Sequence, residues 1–263
     1  MLIEHRSYAL RLGAADLFWD AQRERGEHGL QPILERLIGS FATCTGSLDQ
    51  IVSLYRYDSF DDWQTRLLGL YGRAGLQAYF DRVRPLIVHQ ESRFLVPAPL
   101  PELTPHWGNG QDWLAAQGPL FNASLSNTQQ QAGVVEETTL SFSAGGAPAC
   151  WNAFRQHALV EDPVAMEGLF AGFSSVVGAL NQVLLYRFFP DVEAWSSHRA
   201  ALQASARWNR FMHEIASLSV GSNRQLLTPS CIADMSPMFA NRAEDGRSKH
   251  EFDSYIEAGK ETI

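Results

Sequence analysis

In an extended strand alternate side chains share a face, and two stretches of this chain put chemically capable residues at alternate positions. Near the start, Glu4, Arg6 and Tyr8 point one way while Ile3, His5, Ser7 and Ala9 point the other. Farther on, His89, Glu91 and Arg93 share a face between Ile87 and Leu95. A guanidinium stabilises an enolate or carboxylate, a phenol donates a proton, and an imidazole accepts one near neutral pH. Arg6, Tyr8, His89, Glu91 and Arg93 are therefore the candidate catalytic set, with Glu4, Tyr55 and Tyr57 as substrate-binding wall residues. A plainer account stands beside this one. Glutamate and arginine alternating across neighbouring strands also make structural ion-pair ladders, and an isolated strand histidine such as His89 is more often simply hydrogen-bonded than reactive.

Other chemistries find no support. His5, His28, His157, His198 and His213 have no mutual ligand spacing, and no metal site is expected. Cys44, Cys150 and Cys231 are an odd number with no paired spacing, which argues against a disulfide framework and fits a reducing cytoplasm. Cys44 reads as an inert small apolar residue. A formal net charge of −8 argues against a nucleic-acid partner. Charges at Glu4, His5 and Arg6 stand where a leader's apolar run would begin, so no secretory or transit segment is expected. The triplet Asn122-Ala123-Ser124 is accordingly a chance sequon. The uncharged run from Gly168 to Tyr186 has the length of a membrane span. Its Gly172, Ser174, Gly178, Asn181 and Gln182 argue against a membrane location. Neither a glycine-rich phosphate loop nor a nucleophile elbow is present.

What must position the candidate residues is a repeat. A shift of 132 positions brings Glu4 onto Glu136, Phe41 onto Phe173, Gly46 onto Gly178, Gln50 onto Gln182, Trp63 onto Trp195 and Pro97 onto Pro229 without a gap. Each half reads β-α-β-β-α-β. Strands are expected at 2–10 and 134–142, and helical spacing runs over about 14–37 and 146–170. Hairpins follow from Ser40 to Tyr57 and Phe173 to Phe189, turning at Thr45-Gly46-Ser47 and at Gly178-Ala179, where glycine supplies a positive φ. Asp58-Ser59 and Pro190-Asp191 signal the start of a second helix. A last strand runs from Leu86 to Val96 and from Leu218 to Leu227, stopped by Pro97 and Pro229. Trp63, Trp151, Trp195 and Trp208 read as core anchors, and Gln50 and Gln182, beside the turns, as conformational residues. The expected organisation is module one at 1–97, a linker at 98–133 with a helical turn near Trp113, module two at 134–229, and a C-terminal arm at 230–263 with a short helix near Phe252.

Such a module covers one sheet face with helices and leaves the other bare. Two modules packed face to face with their edges meeting make an intrachain pseudo-dimeric α/β barrel, an α+β fold whose lumen can hold a small molecule. Adjacent first and last strands would gather the two polar sets into one cluster. Positions 136, 138 and 140 hold Glu136, Thr138 and Leu140, and 221, 223 and 225 hold Gly221, Asn223 and Gln225, so any site belongs to module one.

The opening Ile3-Glu4-His5-Arg6-Ser7-Tyr8-Ala9-Leu10 with Gly13, the stretch Gly39 to Tyr57, and Arg84-Pro85-Leu86-Ile87-Val88 through Gln90-Glu91-Ser92-Arg93 resemble a NIPSNAP module. The resemblance covers 2–97 well and 134–228 more weakly, where Thr138 and Leu140 replace Arg6 and Tyr8. It implies the dimeric α+β barrel superfamily, which includes cofactor-free monooxygenases, isomerases, decarboxylases and haem proteins. The expectation is a cytoplasmic enzyme acting without an organic cofactor on a small aromatic or enolisable substrate, monooxygenase- or isomerase-like. The alternatives are a haem-binding protein and a non-catalytic small-molecule-binding or interaction module. A homo-oligomer through the C-terminal arm is a further expectation.

Overall fold

The computed structural model describes residues 1–25, 30–103 and 133–239. Module one runs β1 (Leu2–Leu10), α1 (Ala15–Glu24), α2 (Gln31–Leu34), β2 (Leu37–Thr43), β3 (Gln50–Tyr57), α3 (Phe60–Tyr71), α4 (Gln77–Val83) and β4 (Ile87–Pro97). Module two repeats it with β5 (Val134–Phe142), α5 (Gly146–Gln156), α6 (Pro163–Met166), β6 (Leu169–Val177), β7 (Gln182–Phe189), α7 (Val192–Ala204), α8 (Ala206–Ala216) and β8 (Ser219–Pro229). The first helix of each module, ending at Glu24 and at Gln156, is shorter than its spacing suggested. The second is broken in two. Ser59 and Asp191 cap these second helices, their side chains accepting from the amides of Asp62 and Ala194. Both hairpin glycines adopt positive φ, 90° at Gly46 and 95° at Gly178.

All eight strands close into one barrel in the order β1-β3-β2-β8-β5-β7-β6-β4. Its two inter-module seams are images of each other: Phe41 pairs with Pro229 where β2 meets β8, and Phe173 with Pro97 where β6 meets β4. Pro97 and Pro229 are thus the last paired residues of their strands and not breakers beyond them.

The helix-facing sides of the two sheets build separate cores around Phe18, Trp19 and Tyr57 in module one and around Trp151, Phe154 and Phe211 in module two. Of the four tryptophans expected as anchors, Trp151 and Trp208 are buried and Trp63 and Trp195 half-buried. Inside the barrel lies a third core, assembled from repeat-related partners: Ile3 with Val135, Phe41 with Phe173, Val52 with Leu184, Leu95 with Leu227. It fills the half of the lumen where β1 and β5 begin.

Two expectations about the connecting segments change. Residues 98–103 are not a free linker, since Ala98, Leu100 and Leu103 join the helix-side core of module two. The start of the C-terminal arm turns back on its own chain: Ser230 N donates to Ser40 O at 2.8 Å, Arg25 pairs with Asp234 at 3.0 Å, and the Phe239 ring contacts Phe41, Phe170 and Phe188 at the foot of the barrel. Trp113, Asn122 and the helix expected near Phe252 lie outside the described residues.

Candidate active site at the barrel mouth

Register decides which residues enter the lumen. β1 and β4 are antiparallel with His5 opposite Arg93, Ser7 opposite Glu91 and Glu4 opposite Phe94. Directly opposed residues share a face, so Glu91 and Arg93 join His5 and Ser7 inside the barrel, while Glu4, Arg6 and Tyr8 turn to the helices. The expected single cluster is thereby split in two.

The helix-side half is a buried ion pair. Arg6 donates to both carboxylate oxygens of Glu4 at 2.9 and 2.7 Å, Ser92 Oγ donates to Glu4 at 2.7 Å, and the guanidinium lies 4.9 Å over the Tyr55 ring. Burial opposes charge on Arg6, yet the neighbouring Tyr8, Tyr55 and Glu4 raise its pKa well above the ordinary value. Burial raises the phenols of Tyr55 and Tyr57 as well. Module two keeps the acid and moves its cation: Glu136 lies 3.2 Å from Arg224 and accepts from Trp195 Nε1 at 2.6 Å, while the buried Arg187 occupies the position of Tyr55. Burial pulls that guanidinium down to about 10. A buried glutamate balanced by guanidinium in both modules is the structural ladder, not a wall of the cavity. Arg6, Tyr8, Glu4, Tyr55 and Tyr57 accordingly lie outside the lumen. His89, opposite Ala9, is exposed beyond the mouth.

The lumen half is different. At the end where β1 and β5 finish, a cavity of about 420 Å³ opens between the two hairpin tips, with His5, Glu91, Arg93, Glu137, Gln182 and Gln225 in its wall. Its floor is a four-donor carboxylate. His5 Nε2 lies 2.9 Å from Glu137 Oε2, and the Tyr186 hydroxyl donates to the same oxygen at 2.7 Å. Gln225 Nε2 donates to Oε1 at 3.1 Å, and Arg93 Nη2 stands 3.4 Å from Oε1. Burial works to raise the Glu137 pKa, but the charge and hydrogen bond of His5, then Arg93 and Tyr186, outweigh it and hold the carboxyl down to about 2. The adjacent carboxylate, after burial, pushes the Tyr186 phenol well up, keeping it a donor.

Arg93 Nη2 also lies 3.1 Å from His5 Nε2. A guanidinium only donates and an ionised carboxylate only accepts, so that ring nitrogen can bond just one of them at a time. With Glu137 ionised, a proton sits on Nε2 toward Glu137, so whenever the ring is neutral its lone pair is on Nδ1. Arg93 Nη1 donates instead to Gln182 Oε1 at 3.1 Å, and Gln182 Nε2 to Ser141 Oγ at 3.0 Å.

His5 and Glu137 are 132 residues apart, the repeat offset itself, so they are counterparts meeting on the pseudo-twofold axis. Arg93 and Gln225 are counterparts too, and so are Gln50 and Gln182, all in the wall. The expectation of a site confined to module one is replaced by a site that both modules build asymmetrically. Glu137 corresponds to His5 and so lies on the face of the repeat opposite to Glu4, Arg6 and Tyr8. The signal was available: His5 and Glu137 share one repeat position, with Ser7 and Thr139 next on the same face. Gln50 and Gln182, beside the two hairpin turns, also line the cavity.

A histidine facing a cavity is what haem ligation would require. His5 faces one, but the surrounding wall is amide and hydroxyl and offers a tetrapyrrole no apolar surface. Among the described residues no group of three or more His, Cys, Asp or Glu could hold a metal ion, and no helix is long and apolar enough to cross a membrane.

Comparison with known proteins agrees with this architecture. No curated protein matches the chain. Among solved structures, a candidate monooxygenase of Lactobacillus acidophilus superposes with a TM-score of 0.53 at 9% identity, over 87% of this chain and 93% of its own. An anthrone oxidase-like protein gives 0.53 at 9%, over 87% and 91%. At that identity the likeness is one of fold. A NIPSNAP family protein of Agrobacterium tumefaciens is 34% identical over 38% of this chain and 94% of its own, with a TM-score of 0.36. The NIPSNAP family model matches twice, over residues 3–101 and 135–233. With two matches that together span most of its length, the chain belongs to the NIPSNAP family as a tandem pair of modules.

Proposed function

We propose that the barrel mouth binds a small organic molecule and that the chain is an enzyme which removes a proton from an activated carbon of it without an organic cofactor. One observation carries this reading: His5 stands in the cavity wall with Nε2 fixed by a buried, ionised Glu137 and a guanidinium beside it. A carboxylate that holds one imidazole nitrogen as donor makes the other a base and stabilises the imidazolium formed when it accepts a proton. Arg93 supplies positive charge where a carbonyl oxygen would gain electron density, and the Gln182 amide braces it.

In the step proposed, the C–H bond next to a carbonyl breaks. Its proton goes to His5 and its electron pair forms the enolate, whose charge rests on the oxygen facing Arg93. Return of the proton to another carbon gives isomerisation with no net redox change. Where dioxygen is the second substrate, it takes the carbanion's electron pair and a proton to give a hydroperoxide at that carbon; loss of water with the carbon's second hydrogen leaves a carbonyl, so one oxygen atom stays in the product and the other departs as water.

The test is hydrogen–deuterium exchange. A set of enolisable ketones, keto acids, hydroxy ketones and hydroxyquinones is incubated with the protein in D₂O, and loss of the α-proton signal is followed by NMR. Exchange by the native chain should fall about 100-fold or more in His5→Gln, the scale of a lost general base. Equal exchange with and without His5 removes it as the base, and the reading fails with it.

A further inference from the structure

We infer that the ligand of the barrel mouth is a non-aromatic, uncharged hydroxy-carbonyl compound of roughly monosaccharide size. This narrows the substrate class of the site just described and rests on that reading. The cavity wall carries the amides of Gln50, Gln182, Asn223 and Gln225 and the hydroxyls of Thr139 and Ser141, among other small polar groups. Its lining includes no aromatic or branched aliphatic side chain. The barrel's Phe, Leu and Ile side chains lie in the filled half of the lumen.

An amide both donates and accepts, and so does a hydroxyl. A wall of amides and hydroxyls therefore matches a ligand whose own groups do both. An aromatic ring in their place would desolvate them without replacing their hydrogen bonds, at a cost of about 1–3 kcal/mol for each group left unpaired. Charge selects in the same direction. The cations of the wall already face an anion: His5 Nε2 lies 2.9 Å and Arg93 Nη2 3.4 Å from Glu137, which also accepts from Tyr186 and Gln225. The remaining acid, Glu91, is exposed at the rim and repels anions. Arg93 therefore stands in this wall against two carboxylates, Glu91 and Glu137: a neutral carbonyl can still accept from its guanidinium, whereas a carboxylate or phosphate must enter against their charge. The cavity's 420 Å³ is ample for a five- or six-carbon sugar.

On such a ligand the chemistry balances without an oxidant. The C–H bond of a hydroxyl-bearing carbon next to the carbonyl breaks, its proton passing to His5. The enediol forms as the carbonyl oxygen takes a proton from water. The proton then returns from His5 to the former carbonyl carbon, the other hydroxyl releases its proton to water, and the carbonyl has moved by one carbon.

Isothermal titration and saturation-transfer NMR on the full chain test this with three probe classes: aldoses and ketoses of five and six carbons, dihydroxybenzenes and hydroxynaphthoquinones, and dicarboxylic keto acids. A sugar should bind in preference to the other classes. Asn223→Leu, an exposed site whose replacement leaves the fold intact, and Gln50→Leu should each weaken it about tenfold, the loss of one or two hydrogen bonds. Preference for an aromatic or a dicarboxylate overturns the inference, as does sugar binding that neither variant disturbs, or no binding by any class. The two readings fail separately. Sugar binding without exchange in D₂O sinks proton abstraction and keeps the ligand class, whereas exchange on a quinone alone sinks the ligand class and keeps proton abstraction.

Discussion

Replacing Glu137 with glutamine keeps the volume and two of the hydrogen bonds at the cavity floor but removes the charge that His5 and Arg93 face. The carboxyl is held near 2 against an ordinary value of 4.5. That difference corresponds to about 3 kcal/mol of stability at neutral pH, in line with the roughly 3–5 kcal/mol of breaking a buried pair from one side. For a chain of this size the midpoint of thermal unfolding should fall by about 6–12 °C. The sign of the pH dependence follows from the same carboxyl. Its folded-state pKa is depressed, so the native state holds fewer protons than the unfolded chain in the acid range. The stabilisation is then complete above about 4.5 and is lost as pH falls through about 2, with roughly half left near pH 3. Urea unfolding of native protein and Glu137→Gln at intervals between pH 7 and pH 3 measures the gap between the two. It should be widest at neutral pH and narrow below 4.5. A gap under about 1 kcal/mol at pH 7, or one that stays constant down to pH 3, refutes the account of this carboxylate.

Arg6→Met strands a buried Glu4 and should cost about 3–5 kcal/mol in denaturant unfolding, while ligand affinity per folded molecule at the barrel mouth stays unchanged in titration calorimetry, because the pair lies on the other side of the sheet. Gly178→Ala meets both a φ of 95° and a Cβ placed 2.9 Å from Arg93 Cβ. It should cost about 1–3 kcal/mol and weaken ligand binding by displacing Arg93, seen as a shift of the guanidinium in a crystal structure of the variant. Phe239→Ala opens the foot of the barrel, where the ring touches Phe41, Phe170 and Phe188, and should lower stability by about 3 kcal/mol in the same unfolding assay. Asp191→Ala removes the cap of α7 and should cost about 1 kcal/mol.

Most of the architecture was legible because the repeat constrains it. The offset that aligns Phe41 with Phe173 and Pro97 with Pro229 also makes the two seams alike, and seams that match twice close a barrel. What the sequence could not settle was parity. Alternation in β1 separates Glu4, Arg6 and Tyr8 from His5 and Ser7, and alternation in β4 groups Glu91 with Arg93, but nothing local says which set of one strand shares a face with which of the other. A register moved by a single residue reverses the answer. Opposition of His5 to Arg93 is a property of the assembled sheet. Burial is the second property the pattern does not show: Glu4 and Arg6 neutralise each other beneath the helices, while Glu137, the repeat counterpart of His5, gathers four donors.

The couple on the pseudo-twofold axis has a history written into its position. Two identical subunits placed about a dyad would bring like against like there, histidine against histidine or glutamate against glutamate, and the second of these sets two anions face to face in a dry interior. Acid and base can face each other there only when the two copies differ in sequence, as the two modules of this chain do. Joining the modules end to end thus does more than raise the local concentration of a partner: it releases the position on the axis from symmetry, so that an imidazole and a carboxylate can face each other there.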